Sequence, residues 1–65
     1  MNQLRQSQRR ATCVANDGYA AALQVGKAYE IVPDRVAAEH GMIRVIDESG
    51  EDYLYPERYF SPMTD

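Results

Sequence analysis

Three sets of side chains in this chain have types that could do chemistry. The first is the run Asp47, Glu48, Glu51, Asp52. Close carboxylates can hold a hard cation or share acid–base work. Their spacing is not that of a calcium loop. They read as a solvated hairpin tip, where nothing moves a carboxyl pKa far and the charge discourages edge-to-edge strand pairing. The second set is Cys13 with His40, each the sole residue of its kind. A thiol and an imidazole can form a nucleophile–base pair, but only with contact and a third group to orient them. The plainer expectation is a small buried thiol and a histidine at a helix C-terminus, where the helix dipole favours its charged form. The third set is the tyrosines. Tyr19, Tyr29, Tyr53, Tyr55 and Tyr59 make up five of the six aromatics, and tryptophan is absent. Tyrosine suits surfaces that are apolar in body and polar at the tip.

Composition excludes several classes. Sixty-five residues allow one modest core, so most large apolar side chains are needed for packing. No apolar run reaches the roughly 20 residues of a membrane span. The first residues lack the apolar stretch of a signal peptide, so the expected location is cytoplasmic. One cysteine makes neither an internal disulfide nor a zinc site. No Gly-rich phosphate loop or catalytic serine motif is present. The expectation is no metal, no cofactor and no catalysis.

Charge is uneven. Arg5, Arg9 and Arg10 give residues 1–10 a charge of +3; four basic and ten acidic side chains leave −6 on residues 11–65, for a net −3. Residues 1–9 read as a flexible basic arm, and residues 10–65 as the folded domain. An arm carrying Arg5, Arg9 and Arg10 could touch nucleic acid. The acidic body offers a polyanion little to neutralise, and three phosphate contacts give weak binding.

The elements that position these residues are short. Residues 10–15 read as a first strand, ended by the Asn16-Asp17-Gly18 turn signal. Residues 19–26 read as an irregular excursion with Leu23 tucked inward; its alanines are too few for a stable helix. Lys27–Val32 alternates as a half-buried strand and stops at Pro33. Asp34 can cap a short helix over Arg35–His40, and Gly41 suits the left-handed position that closes it. Met42–Ile46 reads as a third strand. Asp47 to Gly50 suits a type I turn with Gly50 left-handed in a bulge, which sets Asp47 opposite Glu51, Val45 opposite Tyr53 and Ile43 opposite Tyr55. On that register Ile43, Val45, Tyr53 and Tyr55 face inward, and Arg44, Ile46, Asp52 and Leu54 face outward. A two-residue loop would instead pair Val45 with Leu54 and turn the tyrosines out. Pro56–Tyr59 reads as one 3₁₀ turn, and Phe60 opens a last strand limited by Pro62. The fold expected is all-β, a small five-stranded, partly open barrel with one short helical excursion.

The close of the chain, Tyr53-Leu54-Tyr55-Pro56-Glu57-Arg58-Tyr59-Phe60, resembles the end of an SH3 domain. There an apolar residue precedes a proline, a 3₁₀ turn with a tyrosine follows, and an apolar residue opens the last strand. The stretch from Arg10 to Phe60 also looks like a family of short uncharacterised bacterial proteins. Their pattern has a cysteine in the first strand, an Asn-x-Gly-Tyr turn, Leu-x-x-Gly-Lys-x-Tyr, and an Ile-Arg-Val-Ile-Asp-Glu-Ser-Gly-Glu-Asp-Tyr-Leu-Tyr-Pro run. The resemblance implies an SH3-like barrel and no particular activity. The chain departs from SH3 domains in lacking a tryptophan and the early Ala-Leu-Tyr-Asp-Tyr motif. Only Pro56 and Tyr59 match groove-lining positions, with Tyr19 as a loose stand-in for a groove aromatic.

The function expected is a non-catalytic binding module, a monomer or weak homodimer. Tyr19, Pro56 and Tyr59, with Arg58, would meet a protein or peptide partner, Tyr19 and Tyr59 as an exposed pair. Tyr29, Tyr53 and Tyr55 are assigned to the core, their hydroxyls reaching water.

Overall fold

A computed structural model describes residues 9–62. Five strands form one antiparallel sheet: β1 (Arg9–Cys13), β2 (Ala28–Val32), β3 (Met42–Ile46), β4 (Asp52–Pro56) and β5 (Phe60–Pro62). Their order is β4-β3-β2-β1-β5, so β4 and β5 are the two edges. The single described helix, α1 (Arg35–Glu39), joins β2 to β3, and a 3₁₀ turn (Glu57–Tyr59) joins β4 to β5.

The sheet curls without closing. No ladder joins β4 to β5. Yet the Tyr55 and Phe60 rings, one from each edge, have centroids 6.4 Å apart. Both edges therefore fold over one core, made of Ala11, Cys13, Leu23, Tyr29, Val45, Tyr55, Tyr59 and Phe60. Complete burial of an aliphatic side chain such as Leu23 or Val45 stabilises by about 1.5–3 kcal/mol.

The β3–β4 register is the one the bulged turn requires. Ile43 opposes Tyr55 and Val45 opposes Tyr53. Gly50 has φ +86° and donates its N–H to the Asp47 carbonyl at 2.9 Å, while the Asp47 N–H bonds the Glu51 carbonyl at 3.1 Å. A non-glycine residue resists that left-handed backbone. The helix is also built as its caps require: Asp34 accepts from the Ala37 N–H at 3.0 Å, and Gly41 takes φ +72°. Arg44 holds the other Asp34 oxygen at 2.8 Å and so ties the cap to β3.

Three expectations are corrected. Arg9 belongs to β1 and pairs with Ile31 rather than to an arm, and β1 ends at Cys13 rather than Ala15. The rest of the arm, with Arg5, lies outside the described residues. Tyr53 does sit on the inner face, but its side chain is 50% exposed. Strand parity sets the face. It does not supply a cover, and among the described residues no further strand lies beyond the β4 edge to pack on the ring.

Residues 14–27 form a loop pinned at several points. The Cys13 N–H bonds the Lys27 carbonyl and the Gly26 N–H bonds the Cys13 carbonyl, which holds the stem. Asn16 Nδ2 donates to the Leu23 carbonyl at 2.9 Å, so the loop wraps around its own buried leucine. The Glu48 N–H donates to the Ala22 carbonyl at 3.0 Å and carries the loop onto the hairpin tip.

Candidate functional site

Of the four carboxylates of the hairpin tip, Glu48, Glu51 and Asp52 are exposed as their composition predicts, and Asp47 is not. Asp47 is only 7% exposed. Its carboxylate accepts the Tyr55 hydroxyl at 2.5 Å, the Ser49 hydroxyl at 2.5 Å and the Ser49 N–H at 2.9 Å. Burial alone would raise this carboxyl, but the bonds from Ser49 and Tyr55 outweigh it and hold it below its usual range. Glu48 is held low by Lys27 at 2.7 Å and by the Tyr29 hydroxyl at 2.5 Å. The tyrosines respond in the opposite sense. Burial, and then the bond to Glu48, push Tyr29 up to about 12. Burial and the Asp47 carboxylate push Tyr55 up as well. The hydroxyls of Tyr29 and Tyr55 therefore end on carboxylates, where water had been expected. Tyr29 also accepts the Gln24 N–H at 2.8 Å.

Cys13 and His40 do not form a pair. Cys13 is fully buried, its thiol donates to the Ala15 carbonyl at 3.2 Å, and desolvation raises its pKa. His40 caps the C-terminus of α1, with Nδ1 2.9 Å from the Val36 carbonyl oxygen. Among the described residues no group of three or more histidine, cysteine, aspartate or glutamate side chains is arranged to hold a metal ion. Nor, among them, is any helix long and apolar enough to cross a membrane.

Of the four residues expected to meet a partner, three cluster. The Tyr19 ring lies 6.2 Å from that of Tyr59, and the Arg58 guanidinium sits 5.2 Å over the Tyr59 ring. Pro56 is half-buried at the head of the 3₁₀ turn. Tyr59, however, is a core residue at 7% exposure, so the expected exposed pair of Tyr19 and Tyr59 does not exist. Its hydroxyl donates to the Asp17 carbonyl at 3.0 Å, and its own carbonyl accepts from Val14. The loop packs on it from above.

The exposed aromatic surface lies one step away. Tyr19 (40% exposed), Tyr53 (50%) and Leu54 (40%) line a cavity of about 360 Å³ with Ala22, Asp47, Ser49 and Tyr55. The Tyr19 ring meets the Tyr55 ring edge-on at 5.0 Å and 90°, which fixes it as one wall. Tyr53 donates to Glu51 at 3.0 Å and holds the opposite wall upright. Sequence reasoning assigned Tyr53 to the interior and Leu54 to the outer face. The uncovered edge position of β4 was the missing signal.

Arg9 and Arg10 line a second cavity, also about 360 Å³, with Ile31, Ile43, Phe60, Glu57 and Pro62. Glu57 shares that rim, and Arg10 stands opposite Glu30 in the β1–β2 register. Both arginines are exposed.

Comparison of the chain with known family models, curated proteins and solved structures gives no match.

Proposed function

We propose that this chain is a non-catalytic binding module, an SH3-like small barrel that engages a protein partner through its tyrosine-bearing face. The carrying observation is the convergence of Tyr19, Tyr53 and Leu54, all substantially exposed, on one cavity beside an edge strand. Half-exposed tyrosines with fixed rings give large contact area at little cost in side-chain entropy, which suits a contact centre. The SH3-like reading is supported by the β4–Pro56–3₁₀ turn–Phe60 sequence and by the approach of the Tyr55 and Phe60 rings across the open side of the sheet. The buried, singly bonded thiol of Cys13 supports a role without catalysis.

The test is affinity recovery with the full chain as bait, comparing wild type with Tyr53→Ala and Leu54→Ser. Both positions are exposed, so each variant should stay within about 0.5 kcal/mol of wild-type stability. Partners retained by wild type should fall roughly tenfold with either variant, the effect of losing an interface anchor. Equal recovery by all three baits would remove this face from consideration. Tyr59→Ala is unsuitable as a probe, because it opens the core.

A further inference from the structure

The cavity touches Tyr53 and Leu54, neighbours whose side chains point to opposite faces of β4. A space bordered by both faces lies against the strand's edge. Among the described residues that edge is unpaired. The Asp47–Glu51 bond at one end of the hairpin and the Glu57–Gly41 bond at the other fix the alternation of the ladder. Residues 53 and 55 therefore bond to β3, and the N–H and C=O groups of Asp52 and Leu54 point away from it. β4 is last in the sheet order, and no described backbone group bonds those four. Pro56, which has no N–H, ends the free edge.

The charge around this edge is net negative, with Lys27 and Arg44 set against Asp34, Asp47, Glu48, Glu51 and Asp52. Residues 47–55 hold four carboxylates and no basic side chain. Lys27 is engaged with Glu48, and Arg44 is shared between Asp34 and Asp52, 2.8 and 3.8 Å away.

Resting on the binding-module reading, we propose that the partner is an extended, lysine- or arginine-bearing segment that adds as a strand to β4. Its backbone pairs with Asp52 and Leu54. Alternate side chains fall on the two faces. One set lies against Tyr19 and Tyr53, which favours small or apolar residues. The other lies beside Asp52, which favours a base. A second copy of this chain would bring the same acidic stretch to the edge, so like charge works against it as the occupant.

The probe is a short end-blocked peptide alternating lysine with valine. It is compared with a glutamate–valine counterpart and with a lysine–valine peptide N-methylated at every residue, which has no N–H left on either edge. Binding is followed by amide chemical shifts and hydrogen exchange on the intact chain. The lysine peptide should bind and slow exchange of the Asp52 and Leu54 amides, and the other two should not. Glu51→Gln combined with Asp52→Asn should weaken binding about tenfold at low salt. Shifts at Tyr19 and Tyr53 without protection of those two amides would overturn strand addition while leaving the binding face intact. Absence of binding at millimolar peptide would overturn the inference as well. So would sedimentation showing that the free chain self-associates, together with hydrogen exchange showing those amides already protected without peptide. Failure of the binding-module reading shows separately, as partner recovery indifferent to Tyr53→Ala.

Discussion

The two ends of the curled sheet solve the same packing problem in different ways. At the hairpin end, Tyr29 and Tyr55 carry polar hydroxyls into the core, and each finds a carboxylate: Glu48 and Asp47. The 14–27 loop folds over that end and bonds the tip through Ala22. At the far end Ile31, Ile43 and Phe60 border a cavity rimmed by Arg9, Arg10 and Glu57, equal in size to the one beside Tyr55, and no hydroxyl–carboxylate bond is made there among the described residues. One end is held by directional bonds, the other by partial apolar burial. A buried hydroxyl that loses its acceptor keeps its full desolvation penalty, whereas an apolar side chain trimmed beside a cavity loses only the area it had hidden. The hairpin end should therefore be the less forgiving of the two.

The sharpest way to break that contrast is Asp47→Ala. It strips the acceptor from the Tyr55 hydroxyl and from Ser49 in a buried setting, and should cost about 2–3 kcal/mol in chemical denaturation. Adding Tyr55→Phe removes the orphaned hydroxyl, so the double variant should cost less than the sum of the single changes. Additive costs would mean that the two groups do not depend on each other. Acid gives a second reading of the same bond. Asp47, Glu48 and Asp34 are all held below their unfolded values. Their stabilisation is complete above about pH 4, the unfolded carboxyl range, and is lost as pH falls through the folded values. The gap between wild type and Asp47→Ala should narrow over that fall. A gap independent of pH would assign the loss to packing alone.

At the far end the matching change is Ile43→Ala. Ile43 is only partly buried against the core, so the cost should be about 1–2 kcal/mol, below the range for a fully buried isoleucine. Denaturation midpoints of the two variants, measured side by side, rank the ends directly. A larger loss at Ile43 than at Asp47 would reverse the argument.

How far the sequence revealed this contrast differs from residue to residue. The register of β3 and β4, the left-handed Gly50, the Asp34 cap, Gly41 and the inward Leu23 all follow from local rules of turn chemistry, capping and alternation. The burial of Asp47 does not. It depends on a tyrosine eight residues on and on a loop anchored through Ala22, neither of which a local pattern places there. Tyr59 was hidden in the same way, by its bond to Asp17, forty-two residues distant. Tyr53 shows the opposite gap. Alternation put it on the correct face, but the cover that face needs depends on which strand lies at the sheet edge, and only the topology reveals that. The exposed tyrosine surface was legible only in part: Tyr19 belongs to it, whereas Tyr59 is buried and Tyr53 is exposed in its place.

The smallest expected effect sharpens the comparison by separating the hairpin backbone from the polar network beneath it. A Cβ built on Gly50 meets nothing within 4 Å, so Gly50→Ala adds no steric contact and should reveal only the strain of φ +86°. That strain is about 1 kcal/mol for a non-glycine residue in the left-handed region. Gly50→Asn should cost less, since asparagine tolerates that conformation. Both variants keep Asp47, Ser49 and Tyr55, so their loss should stay constant through the acid range in which the Asp47→Ala gap narrows. If Gly50→Ala instead costs as much as Asp47→Ala and follows the same pH course, the turn and the carboxylate network form one cooperative unit. The firmness of the hairpin end would then belong to the bulged turn as much as to its buried acid.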